Sequence, residues 1–76
     1  MPKLPVITSK ELVRAITRLG FYEFHRVGSH AQFKHKDGRR TTVPVHKGKD
    51  IKRGTLHGII SDIDISVDEF ISMLKK

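Results

Sequence analysis

The spacing of apolar residues changes twice along this chain, and those changes leave few folds open. Between Thr8 and Gly20, Leu12, Val13, Ile16 and Leu19 recur at helical intervals. Between Phe21 and His46 the pattern shortens to runs of near-alternating apolar and polar residues, separated by Gly28-Ser29 and Asp37-Gly38. From Leu56 the helical interval returns with Ile59, Ile60 and Ile63, and Phe70, Ile71 and Leu74 continue it after a break at Asp64-Ile65. A helix, three strands joined by tight turns and a two-part C-terminal helical region give α-β-β-β-α(α). That order predicts an α+β two-layer sandwich with the helices on one face of a three-stranded antiparallel meander. With 76 residues there is room for one domain, residues 1–76, whose thin core buries only about 60% of the unfolded surface.

Local signals set the expected boundaries. Residues 1–7 read as an extended arm, because Pro2 and Pro5 turn their predecessors away from helix. Thr8 and Glu11 have capping-box spacing, and Gly20 is placed to end the first helix in a left-handed cap. Pro44 cannot donate to a ladder, so the third strand should be an edge or be irregular there. Asp50 is a candidate cap for the helix carrying Leu56, and Ser66 with Glu69 repeats the capping-box spacing. Period two places Ala31, Phe33, Val43 and Val45 toward the helices, and His30, Gln32, Lys34, Thr42, Pro44 and His46 on the open face. A three-residue hairpin loop, Asp37 to Arg39, would pair Phe33 with Val43 and His30 with His46; an even-numbered loop would reverse the faces.

Charge narrows the partner. Fifteen Lys and Arg oppose eight Asp and Glu, for a net +7 and a pI near 10.2. Residues 1–57 hold thirteen of the basic and four of the acidic side chains, so the excess is segregated. Such a distribution is the electrostatic footprint of a polyanion binder. The stripe Lys10, Arg14 and Arg18 is either a solvated helix face or a phosphate contact. With no cysteine, disulfides, thiolate nucleophiles and Cys-based zinc sites are excluded. Without an apolar run of about 18 residues or an N-terminal apolar signal region, the expected setting is cytoplasmic, with no membrane partner.

The five histidines carry the remaining chemistry. His25, His30 and His35 are five apart, which on strands should send successive members to opposite faces, a poor arrangement for a metal. Ser29 and His30 are adjacent and point apart, so no Ser–His–Asp triad is expected. Histidine on a basic surface suits RNA, which brings its own nucleophile, the 2′-hydroxyl. An imidazole exchanges protons near neutrality and typically contributes about 10²–10⁴-fold, while cations steady the phosphate. No cofactor or metal is required. These residues allow that reaction without singling out one histidine.

Four motifs then occur in order. Gly28-Ser29-His30-Ala31-Gln32-Phe33 resembles the G-S-H-x-x-F signature of the HicA toxins, small messenger-RNA interferases of toxin–antitoxin pairs. Val43-Pro44-Val45-His46 resembles the VPxH strand of that family, Gly54-Thr55-Leu56 with Ile59-Ile60 its GTL-x-x-I-L helix, and Ser66-Val67-Asp68-Glu69-Phe70 its closing segment. Leu19-Gly20-Phe21 is similar to its helix-to-strand junction, so the resemblance spans roughly residues 8–74. It departs from many relatives in placing Ala31 after G-S-H.

The resemblance implies a double-stranded-RNA-binding-domain-like fold and ribosome-independent RNA cleavage, and the residues themselves suit a metal-independent reaction on single-stranded messenger RNA. It implies a catalytic His30, with His46 as a possible accessory, and a HicB-like antitoxin as partner. Gly28, Ser29, Lys34, Lys36, Arg39, Arg40 and Lys47 are the candidate RNA contacts. Two rival readings remain at this point: a module that holds duplex RNA without cutting it, and an interaction protein whose basic face meets an acidic partner.

Overall fold

The structure, a computed structural model, describes residues 4–76; positions 1–3 of the expected arm lie outside the described residues. The elements run α1 (Ser9–Arg18), β1 (Tyr22–Val27), β2 (His30–Lys34), β3 (Arg40–Pro44), α2 (Arg53–Ile63) and α3 (Val67–Leu74). The strands form an antiparallel sheet in the order β1-β2-β3. This is the expected α+β architecture, with β3 and its Pro44 at an edge.

Both ends of α1 form as the sequence specifies. The Thr8 hydroxyl accepts from the Glu11 N–H at 3.2 Å, and the Thr8 N–H donates to Glu11 Oε1 at 3.0 Å. The Thr8 N–H, together with the Thr8 hydroxyl at 3.1 Å from Oε1, holds the Glu11 carboxyl below the usual carboxylate range. At the other end Gly20 takes φ +102°, while the Phe21 N–H reaches the Ile16 carbonyl and the Gly20 N–H the Thr17 carbonyl, each at 3.0 Å. That is a Schellman closure, and Phe21 and Ile16 pack in the core behind it.

The core fills the space between the helices and one sheet face. Leu12, Ile16, Phe21, Val43, Leu56, Ile63 and Phe70 are its largest fully buried side chains. Fully burying residues of these types is worth about 1.5–3 kcal/mol each. Thr41, a buried strand residue, donates to the Asp62 carboxylate of α2 at 3.0 Å and so binds β3 to that helix.

Three expectations need correction. The β2–β3 register pairs Phe33 with Thr41, Ala31 with Val43 and His30 with Pro44, two residues away from the register expected. The loop does have three residues, but they are Lys36-Asp37-Gly38: the His35 N–H reaches the Arg39 carbonyl at 2.9 Å, and Gly38 takes φ +101° to close the turn. Because the shift is even, every side chain keeps its expected face. Next, Asp50 does not cap α2, whose N-cap is Lys52 without a side-chain bond. Asp50 instead bridges Thr8, and the adjacent Ile51 N–H donates to the Ile7 carbonyl at 2.8 Å. The described part of the arm is therefore structural, with Leu4 and Ile7 in the core. Finally, Arg18 is neither idle nor free: its Nη1 donates to the Met73 carbonyl at 2.9 Å, satisfying the C-terminal end of α3. At the start of α3 one arm of the capping box forms, the Glu69 N–H to the Ser66 hydroxyl at 3.0 Å.

Candidate RNA-processing face

Two turns bring the site together. Gly28-Ser29 is a two-residue hairpin between paired Val27 and His30. Gly28 takes φ +58° while Ser29 stays at negative φ, as a type II′ turn requires. A Cβ at Gly28 would touch nothing within 4 Å, so backbone conformation alone demands glycine there. The turn sets His30, exposed, at the head of β2 on the sheet face turned away from the helices. No hydrogen bond holds its ring among the described residues. On β3 its register partner is Pro44. Pro44 has no N–H, and the ladder continues through the Val45 N–H to the Ser29 carbonyl at 2.6 Å.

Beyond Pro44 the chain turns through His46 to Lys49 and enters α2. This bend encloses a groove of about 340 Å³ lined by Pro44, His46, Lys49, Asp50, Lys52 and Thr55 among others. Two lysines and an imidazole face one carboxylate there. His46 is thus not paired with His30 but lies two residues past its partner Pro44, in the lining of the cationic groove.

A second imidazole was missed. His25 pairs with Gln32, and Val27 with His30, so His25 and His30 share the open face as diagonal neighbours, ordinarily about 7–8 Å apart. The expected alternation of faces held for an uninterrupted strand, but the two-residue turn reverses the chain between the two positions. The signal was present in Gly28-Ser29, whose hairpin implies that pairing.

His35 plays another part. It is half-buried, with its Nε2 3.1 Å from the Leu19 carbonyl and its Nδ1 accepting the Asp37 N–H at 3.1 Å. A neutral ring with its proton on Nε2 satisfies both backbone groups. The Asp37 Oδ2 also lies 3.1 Å from Nδ1, a contact that suits a protonated ring instead. The ring stacks edge-on against Phe21, with centroids 5.1 Å apart. A Cβ on Gly20 would come within 2.7 Å of Nε2, so here glycine is required by space as well as by φ.

The candidate RNA contacts divide between two settings. Arg39 is committed to the fold: its guanidinium binds the Asp37 carboxylate at 2.9 Å, donates to the Ile63 carbonyl and covers the Phe21 ring at 5.1 Å. This bridge and the Arg39 N–H keep the Asp37 carboxyl below the usual range. Lys36 and Lys47 are exposed, at the hairpin tip and the loop after β3. Lys34 and Arg40 are register partners at the far end of the open face. Gly28 and Ser29 form the turn itself. Among the described residues no three His, Asp or Glu side chains converge as a metal site, and no helix is long and apolar enough to cross a membrane.

Residues 9–65 match the family described as the HicA toxin of bacterial toxin–antitoxin systems, three quarters of the chain. The chain belongs to the HicA toxin family. It is thus the toxin of a toxin–antitoxin pair, a membership that implies a cognate antitoxin. No curated protein sequence gives a significant match. The HicA match runs from α1 to just beyond the end of α2 and takes in the whole sheet, so His30, His46 and the groove all lie inside it.

Proposed function

We propose that this HicA toxin is an endoribonuclease that cuts single-stranded messenger RNA in the cytoplasm by metal-independent acid–base catalysis, with His30 as general acid or base, until a HicB-like antitoxin covers the site. The observation that carries this reading is the setting of His30: an exposed imidazole without a structural partner among the described residues, on an open sheet face, next to a groove holding His46, Lys49 and Lys52. In the reaction a 2′-oxygen bonds to phosphorus, its proton passes to a base, and the P–O5′ bond breaks as the leaving oxygen takes a proton from an acid. The products are a 2′,3′-cyclic phosphate and a 5′-hydroxyl. Cations in the groove and at Lys47 hold the phosphate and stabilise its developing charge. Acid and base together need two groups, and His25 from β1 and His46 beyond β3 are the candidates for the second.

Cleavage of a single-stranded RNA in EDTA tests the proposal. Wild-type protein should leave cyclic-phosphate ends, and His30→Ala should be folded, inactive and harmless on induction in cells. Undiminished cutting by His30→Ala would remove that residue from the mechanism, and RNA binding without any cutting by the wild type would remove the nuclease. Single alanine variants at His25 and His46 identify the second proton carrier: only the residue that serves should lose rate by the factor of about 10²–10⁴ typical of such groups.

A further inference from the structure

The open face has a second feature at the end away from His30. Phe24 is the unpaired residue of a bulge between Glu23 and His25. A bulge re-aims the side chain of its extra residue, and Phe24 lies among the open-face residues, 37% exposed, beside Tyr22 at 49%. The Lys34 Nζ lies 4.7 Å from the Phe24 ring centroid and 5.9 Å from that of Tyr22. The Arg40 guanidinium lies 5.6 Å from Phe24. Next to them is a groove of about 300 Å³ whose lining includes Phe24, Gln32, Arg40, Thr42 and Asp62, the Asp62 carboxylate accepting from the Thr41 hydroxyl. That carboxylate belongs to α2 and is engaged by Thr41; the strand residues of this face are neutral or cationic.

Two exposed aromatic rings with no apolar cover need an explanation in so small a protein. Neither belongs to the core. Aromatic rings interleaved with cations, and flanked by an amide and a hydroxyl, match what single-stranded RNA offers: a base face to stack, a phosphate to neutralise and base edges to hydrogen-bond. An acidic peptide would use the cations but leave the rings without a partner.

We propose that Tyr22, Phe24, Lys34 and Arg40 form a stacking ledge for one nucleobase of single-stranded RNA. The proposal rests on the nuclease reading only for the identity of the strand. Four residue steps along β2 take His30 to Lys34, about 13 Å at a strand's rise. The stacked base therefore belongs to a neighbour of the nucleotide cut, and the ledge fixes the direction of the strand across the sheet. Stacking is tolerant of base identity, so the ledge sets a minimum substrate length more than a sequence.

Tyr22 is the only tyrosine and the chain has no tryptophan, so tyrosine emission reports on the ledge directly. A non-cleaving His30→Gln protein is titrated with single-stranded oligoribonucleotides of increasing length. Emission should fall on binding once the strand is long enough to span from His30 to the ledge. Adding Phe24→Leu, which keeps an apolar side chain on the surface, should weaken binding of the long strand about five- to hundredfold and leave the shortest unaffected. Arg40→Gln should act in the same direction through a site that no apolar packing depends on. Unchanged emission and unchanged affinity in both variants would overturn the ledge even where cleavage depends on His30. Quenching without cleavage by the wild type would support the ledge and remove the nuclease. Emission moved by the antitoxin but by no RNA would assign the ledge to the protein partner and overturn the proposal.

Discussion

His30 and His35 bracket β2 and have opposite surroundings. His30 stands exposed at the head of the strand, without a hydrogen-bond partner among the described residues. His35 follows the other end, where Leu19, Asp37, Phe21 and Gly20 enclose it. The same side chain, five positions apart, is left exposed for the proposed chemistry at one end and is built into the architecture at the other. What separates them is the backbone they meet. The type II′ turn at Gly28 carries the chain away from His30, whereas the Schellman closure of α1 brings the Leu19 carbonyl and a bare glycine Cα up to His35.

Substitutions should break this symmetry of residue type. The largest effect expected is on activity. His30→Ala should lose about 10²–10⁴-fold in RNA cleavage, with a thermal midpoint within a few degrees of wild type; a large fall in that midpoint would mean the ring is structural after all. His35→Ala should do the reverse. It removes the partner of the Leu19 carbonyl and opens a gap beside Phe21, costing about 2–3 kcal/mol by denaturant titration, while the residual folded protein still cuts RNA.

Gly20→Ala comes next, at about 1–2 kcal/mol for the left-handed backbone alone, plus the displacement of His35. In the double variant Gly20→Ala/His35→Ala the clash with the ring is gone, so the combined loss should be less than the sum. Strict additivity would show that the two residues do not share a contact. The smallest effect is on acid stability. Glu11, Glu23 and Asp37 all have folded pKa values below their unfolded ones, held there by Thr8, Arg26 and Arg39 respectively. Their contribution is fully present above the ordinary carboxylate range near pH 4 and is lost as pH falls through the lowered folded values. Asp37→Asn should lose a little stability at neutral pH and flatten that acid limb slightly; an unchanged acid limb would show that the Arg39 bridge has no part in it.

Much of this was legible in the sequence because it depends on local rules. The Thr8–Glu11 box, the Gly20 cap, the edge position implied by Pro44 and the two faces of β2 follow from spacing and backbone chemistry within a few residues. The expected register missed by two because Asp-Gly announces a turn without stating which residue takes positive φ; here Gly38 does, so the loop begins at Lys36. The roles of Arg18 and Arg39 were hidden because their partners, the Met73 and Ile63 carbonyls, are 55 and 24 residues away. Basic residues counted as surface charge thus prove to be clasps on helix ends. His25 was misplaced because period two was carried through a turn, and the Phe24 bulge has no sequence mark.

The pinned arm bears on how small this toxin can be made. The stretch that carries the family likeness starts at Ser9 and stops at Ile65, yet Leu4, Ile7 and Phe70 plug the interior from outside it. The Ile7 carbonyl also holds Ile51, one wall of the groove beneath His46. A protein trimmed to the recognisable portion would keep the candidate site residues and lose the planks that keep them level, so the smallest stable unit should be longer than the smallest one that can be recognised.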